Sequence, residues 1–402
     1  MGNELNAPLP DAWISFGTAV EQARAAFERT PRFAHGDHQV RAYYCLSEGQ
    51  AMAYNLAVAP RTAYPIVQSH TSWMTYFYTL GGNCADFHYG ALYLDGRQTY
   101  RITGRRGDLE LILMQVFSHP MGHPGSESIA NYDLADFELD ADGSFEIIAG
   151  AGERSGNHIR LDPESDLNFV FIRRAVADWF GDMGTLEVVP LAGGVSEPAL
   201  TAPALAARLE QAANYLTYTI EKLCIGYYDL CLARADGRKN VAAPMPGAEI
   251  DTELAGSPSS DYANAIFELE PDQALIVEVD VPAESAYWSM QLYDVWLKSL
   301  DFVHHQTDLN MHRIAVDEDA KARVVISLTD PGVLNWLDPV GVTEGILVFR
   351  NYRAQSRLNP TIRVVGLSEL RDHLPGHTAV VIPEARARDL DQRRRGFNRV
   401  YG

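Results

Sequence analysis

Apolar residues between Asp11 and Arg29, among them Trp13, Ile14, Ala23 and Phe27, fall at mostly helical intervals, and Val40 to Ala59 repeats that texture before Pro60 interrupts it. The chain is therefore predicted to open with helices. From Tyr89 the pattern shortens to the runs GALYLDG, TYRITGRR, LELILMQVF, YDLADFELD, SFEIIAG and LNFVFIRR, set apart by turn signals such as Asp95-Gly96 and Asp142-Gly143. Strands at this spacing, with no helical segment between them, predict an antiparallel sandwich or barrel rather than a parallel α/β sheet. Around Leu191 the stretch LAGGVSEPALTAPA loses periodicity and gains Gly and Pro, which marks a domain break. Beyond it Leu205, Leu209, Ala212, Leu216, Ile220 and Leu223 recur every three or four residues, giving one apolar helix face expected to pack between the two β regions. After the polar loop APMPGAEIDTELAGSPSSD come QALIVEVDV, AYWSMQLYD, ARVVISLTD, GILVFR and TIRVVGL, a second set of strands. The expected fold is mainly β with helices: two antiparallel β-sandwich or jelly-roll-like domains joined by a long amphipathic helix. Residues 1–190 form a helical segment plus a β domain, and 191–402 the helix, a second β domain and an Arg-rich terminal helix.

Composition narrows the function classes. With 402 residues, 47% of them hydrophobic, the chain can fill two cores. Its formal net charge of −20 repels nucleic-acid phosphates and anionic lipid headgroups, so neither nucleic acid nor membrane is expected as a partner. The start, MGNELNAPLPDAWISFGTAV, lacks the basic and continuous apolar stretches of a secretory signal, and no segment has the length to cross a bilayer, so a cytoplasmic location is expected. Cys45, Cys84, Cys224 and Cys231 show no CxxC spacing and read as small buried apolar residues; the last two, seven apart, suit one helix face. A homo-oligomer is left open.

Chemistry concentrates between Tyr287 and Arg350, where three tryptophans, two adjacent histidines and several aspartates crowd a β framework. Asp301 and His305, four apart, share a side in helix or strand alike, so the carboxylate is expected to fix the imidazole tautomer and leave the other nitrogen for acid–base work, with His304 then facing elsewhere; a plain structural hydrogen bond is the competing reading. In AYWSMQLYD, alternation puts Trp288, Met290 and Leu292 on a core face and Tyr287, Ser289, Gln291 and Tyr293 on a face that lines a pocket or meets solvent. Thr329-Asp330-Pro331-Gly332 has the signature of a type II turn. Beyond it Asn335, Trp336 and Asp338 form a pocket rim near the strand carrying Arg350, unless Asp338 or Asp330 pairs with that arginine to lock the loop. Trp288, Trp296 and Trp336 are candidate apolar walls.

Other clusters favour bland readings. His119 and His123 span Pro and Gly, no HExxH occurs, and no metal is expected. His70 and His88 lie in aromatic segments and read as partly buried side chains, while Arg101, Arg105 and Arg106 read as solvated residues on an edge strand. The terminal arginines Arg386, Arg388, Arg393, Arg394, Arg395 and Arg399 are expected to dock on the protein's own acidic surface. The absence of GxxxxGKS, GxSxG and of GxGxxG after a strand removes support for phosphoryl transfer, α/β-hydrolase and Rossmann chemistry, and no cofactor is expected.

The segments YWSMQLYDVWLKSLDF, TDPGVLNWLD and GILVFR, with GRQTYRITGRRG earlier and the Arg-rich end, resemble the bacterial domain-of-unknown-function family 1214 over most of the chain. The resemblance implies a two-domain β-rich fold and carries no catalytic residue. Residue chemistry alone then points to a cofactor-independent enzyme acting on a small hydrophobic or aromatic metabolite by lyase, isomerase or hydrolase chemistry. In that reading His305, Asp301 and His304 are catalytic, and Gln291, Tyr293, Trp288, Trp296, Asn335, Trp336, Asp338 and Arg350 bind substrate. The alternative is a noncatalytic β-sandwich protein that holds a carbohydrate or hydrophobic metabolite.

Overall fold

The computed structural model describes residues 8–60, 65–68, 74–152, 154–192, 199–282 and 284–401; His70 lies outside them. Two four-stranded sheets form the first sandwich. One holds β1 (Phe87–Leu94), β3 (Leu111–Phe117), β4 (Ser128–Asp133) and β7 (Asn168–Ala175) in the order β1-β7-β3-β4. The other holds β2 (Tyr100–Arg105), β5 (Ser144–Gly150), β6 (His158–Arg160) and β8 (Thr185–Pro190) in the order β6-β5-β2-β8. Leu92, Ile102, Met114, Ile147 and Ile172 meet between them. Because β2 is interior, its arginines do not decorate an edge; Arg105 pairs with Asp182 at 2.6 Å on the open face.

The second sandwich repeats the first strand for strand. Its sheets contain β9 (Ala243–Pro246), β10 (Ser260–Glu268), β12 (Tyr287–Asp294), β13 (Asp308–Asn310) and β16 (Glu344–Tyr352) on one side. On the other side are β11 (Gln273–Asp280), β14 (Lys321–Ile326), β15 (Trp336–Leu337) and β17 (Thr361–Gly366). Their orders are β13-β12-β16-β10-β9 and β15-β14-β11-β17, so adding nine to every strand number of the first domain reproduces the second, with β9 as an extra edge. Even the parallel pair β5/β6 recurs as β14/β15. Phe267, Leu275, Met290, Val324 and Phe349 fill this core.

A helical layer joins them. It consists of α1 (Pro8–Glu28), α2 (His38–Ala53) and a run made of α3 (Ala202–Tyr218), a π-helical stretch Thr219–Gly226 and α4 (Tyr227–Arg234). The outer face of β1, β3 and β7, with Phe87, Tyr93, Phe169 and Phe171, and that of β12 and β16, with Tyr287, Tyr293, Ile346 and Val348, share one apolar core with these helices. The predicted long helix thus does lie between the β regions. In α1, however, Trp13 and Ile14 are 65% and 64% exposed, and the packed face is Phe27 with Ala12, Ala19, Ala23 and Ala26, the alanines being small enough to let α3 approach closely. All four cysteines are buried and free.

The short α5 (Asp251–Leu254) and the terminal α6 (Pro383–Tyr401) complete the chain. As the charge pattern suggests, α6 docks on its own protein: Arg386 reaches Asp330 at 3.1 Å, and Arg393 bonds the Phe302 carbonyl and Asp308. Beneath it the two domains are pinned by Asp86. Its buried carboxylate accepts from Trp179 Nε1 (2.9 Å), Arg313 Nη2 (2.9 Å), Tyr287 Oη (2.7 Å) and Asn310 Nδ2 (2.9 Å).

Four donors from both domains leave no lone pair for an NH2 group. Asp86→Asn is therefore expected to cost about 3–5 kcal/mol, the range for uncoupling a buried charge. Urea unfolding measures it, and a loss below about 1 kcal/mol would mean that the knot contributes little.

Candidate functional site

The acidic and imidazole groups after β12 do not meet as their spacing suggests. Residues 302–304 form a turn in which the Asp301 carboxylate accepts from the N–H groups of Val303 (3.1 Å) and His304 (3.1 Å) and lies 3.0 Å from His304 Nδ1. His305 turns instead to Asp338, 2.7 Å from Nδ1 to Oδ2. The expected Asp301–His305 pair is thus corrected: local capping of a tight turn, an Asx-type interaction, wins over the four-residue spacing. The side chains of His304 and His305 are 49% and 39% exposed, so neither sits on a water-poor wall.

On β12 the alternation holds. Trp288, Met290 and Leu292 enter the second core. Tyr287, Ser289, Gln291 and Tyr293 meet neither solvent nor an open pocket, because the segment leading into β1 threads across them. Gln291 accepts from Ala85 N (2.9 Å) and donates to the Asn83 carbonyl (3.2 Å), and the Tyr293 hydroxyl donates to the same carbonyl (2.7 Å). Trp296 is wholly buried, donates to the His38 carbonyl (2.9 Å) and meets Phe27 edge-on, which ties α1 and α2 to the second domain. Asn335 clasps the backbone of Ala315 and Arg323, and Trp336 donates to the Ser327 carbonyl. These groups hold loops. Neither Asp338 nor Asp330 reaches Arg350, since His305 takes one and Arg386 the other.

Arg350 lies on the wall of a cavity of about 70 Å³ where both sandwiches meet the helices. Met52, Met74, Leu80, Met121 and Phe171 supply its apolar surface, and Arg173, Tyr89, Tyr227, Tyr262 and Tyr352 its polar groups. Backbone geometry makes the room. Gly81 and Gly82 take φ of +87° and +78°, and the widened π stretch brings Thr219 and Leu223 to the cavity. Burial pushes the phenols of Tyr89, Tyr227, Tyr293 and Tyr352 up, so all remain protonated and uncharged near neutral pH. Of the residues singled out from sequence, Arg350 lines this cavity and Tyr293 supports it from behind, its hydroxyl 2.7 Å from Arg350 Nη2.

Arg173 was missed, although a signal exists. The strands FVFIRR and ILVFRN both end an apolar run with arginine, and alternation sends that side chain to the outer face in each. Among the described residues no group of three or more His, Cys, Asp or Glu is placed to hold a metal ion, and no helix is long and apolar enough to cross a membrane. His119 and His123 stack ring on ring at 4.2 Å, while His88 is buried beside Arg174.

A family model described as a protein of unknown function, DUF1214, matches residues 257–356, which run from the loop before β10 to just past β16. This segment is a DUF1214 region. It holds Arg350 and the Tyr287–Asp301 motif, whereas Arg173 and the terminal helix lie outside the DUF1214 match. The crystal structure of an uncharacterized protein from Burkholderia cenocepacia is similar over 89% of this chain and 97% of its own, with 26% identity and a TM-score of 0.81. A protein from Vibrio parahaemolyticus aligns over 89% of this chain and 99% of its own at 13% identity and a TM-score of 0.47. No curated protein matches the chain.

His305→Ala is expected to change stability by less than about 1 kcal/mol, as for other half-exposed ion pairs. Chemical unfolding of the variant measures this, and a loss above about 2 kcal/mol would give the His305–Asp338 contact a structural weight that its exposure does not suggest.

Proposed function

We propose that the protein binds a small, largely apolar metabolite in the cavity between its two sandwiches and holds it without transforming it. The observation that carries this reading is the hollow itself: it lies at a domain junction and joins a mainly apolar wall to a few fixed polar groups, the usual make-up of a small-molecule site. Met52, Met74 and Met121 add adaptability, because unbranched thioether chains repack around an occupant. Among the described residues the wall carries no His, Asp or Glu to serve as a proton acceptor, and protonated phenols are poor bases near neutral pH.

A catalytic reading attaches to a different place. His312 Nε2 lies 3.3 Å from the Glu110 carboxylate at a groove of about 430 Å³ lined also by Trp179, Gln306, Arg313 and α6, and burial raises the Glu110 pKa. A carboxylate that orients an imidazole at a groove is the arrangement expected of an acid–base enzyme. If turnover of any metabolite is found, His312→Gln should abolish it while His305→Ala leaves it intact; the reverse pattern would remove the groove from consideration.

The binding reading is tested with xenon, an apolar probe small enough for a hollow of this size, read by xenon NMR. Saturable uptake at one site per chain is expected, together with loss of at least about tenfold in affinity in Leu223→Trp, which places a bulky ring at the half-buried edge of the cavity. Uptake that does not saturate, or that Leu223→Trp leaves unchanged, would count against the cavity as the site.

A further inference from the structure

The two cavity arginines are related by the internal repeat. Arg173 on β7 lies opposite Tyr89 of β1, and Arg350 on β16 lies opposite Tyr262 of β10, so each domain contributes the same tyrosine–arginine rung. Both arginines are more than nine-tenths buried. Arg173 donates to Gln115 (2.9 Å) and to the Ala255 carbonyl, with its guanidinium 3.9 Å above the Phe171 ring. Arg350 donates through Nη2 to the Gly82 carbonyl (2.7 Å) and to Tyr293, and among the described residues its Nη1 has no hydrogen-bond partner.

Among the described residues neither has a carboxylate within ion-pair distance. Elsewhere the chain does supply one: Arg32 and Arg386, similarly buried, face Asp229 at 2.6 Å and Asp330 at 3.1 Å. With 53 acidic residues in the sequence, the lack of one here is a matter of placement. Burying a cation without a counter-charge is expensive. The rings of Phe171 and Tyr293 offset part of that cost but offer no acceptor to Nη1.

We infer that the cavity takes a small carboxylate whose oxygens complete the hydrogen bonding of Arg350, whose charge is shared with Arg173, and whose apolar body rests on the methionines. This rests on the reading of the cavity as the binding site and adds the chemistry of the occupant. A carboxylate fits the free edge of a guanidinium, and its monovalent charge suits a mainly apolar hollow. A phosphate dianion brings a second charge into the same mainly apolar surroundings and so a larger desolvation cost.

The test uses the full chain and a series from acetate to octanoate, plus benzoate, each paired with its neutral amide at matched ionic strength. Affinity is read by calorimetry and by the shift in melting temperature. At least one carboxylate is expected to bind about 10- to 100-fold tighter than its amide, the worth of a charge-assisted hydrogen bond. Arg350→Gln and, separately, Arg173→Gln should erase most of that advantage. The ligand-free Arg350→Gln protein should melt no lower than wild type, because an uncompensated charge has been removed; a merely structural arginine would instead lower it.

Equal binding of acids and amides by the wild-type chain overturns the inference without recourse to any variant. So does inorganic phosphate competing as well as the best carboxylate. If xenon binds and Leu223→Trp blocks it while acids gain nothing over amides, the carboxylate assignment fails and the binding reading stands. If neither xenon nor acid binds, both fail.

Discussion

Strands that are apolar on both faces dictate this molecule. In β1, β3, β7 and β12 every residue is buried, and in β16 all but the first. One face of each inner sheet is covered by its own partner sheet, which leaves a second apolar face with Phe169 and Phe171 in one domain and Ile346 and Val348 in the other. A large apolar side chain loses about 1.5–3 kcal/mol when left in water, so neither sandwich is stable with that face bare. Covering both faces at once requires the helical layer, and it forces the two repeats against one another. The folding unit is therefore the pair of sandwiches with their helices, although each sandwich has a complete core.

The seam created in this way contains polar side chains, and their arrangement follows from the cost of leaving them unpaired. The chain from Thr79 to Asp86 crosses the seam, and its backbone supplies what Gln291, Tyr293 and Ser299 need, with Asn83 alone accepting from all three. Such a strap fixes the relative position of the domains more specifically than apolar contact can, because each bond has a direction. It also keeps Gly82 against Arg350, so the cavity wall and the domain seam are built from the same residues.

What sequence made legible was local. The alternation in AYWSMQLYD sorted the β12 residues onto two faces and placed Trp288, Met290 and Leu292 in the core, and the runs GILVFR and LELILMQVF marked strands at their observed places. The fate of the second face was not legible, because Tyr287, Gln291 and Tyr293 look the same whether they meet water, a ligand or another domain. Unbroken apolar runs such as LILMQVF did signal burial on both sides, which alternation-based reading discounts. β10 was missed because Asp261, Tyr262 and Asn264 break its apolar pattern; Tyr262 and Asn264 face the seam, at the cavity and at Tyr227, while Asp261 is part-exposed beside Arg357. The Asp301–His305 pairing failed since spacing says nothing of a turn that caps itself. Arg173 became visible only when the two domains were seen as repeats, for nothing in FVFIRR alone sets it apart from Arg174 beside it.

The repeat accounts for the position of the cavity, and the differing neighbours of each rung for its chemistry. Two sandwiches of one strand order, whose outer faces share a core with the helices, bring equivalent strand ends to a common hollow, so the polar residue at that rung is presented twice. In the first copy Gln115 and the Ala255 carbonyl have come to satisfy Arg173, the latter from a residue held at φ +49° in the loop after α5. In the second copy the position beside Arg350 on β12 is Ser289 and the opposite rung is Tyr262, whose hydroxyl is engaged with Tyr352 at 3.2 Å. Neither neighbour completes the guanidinium. The hollow therefore has two unlike ends: among the described residues the Arg173 guanidinium is bonded to Gln115 and the Ala255 carbonyl, whereas Arg350 keeps Nη1 without an acceptor.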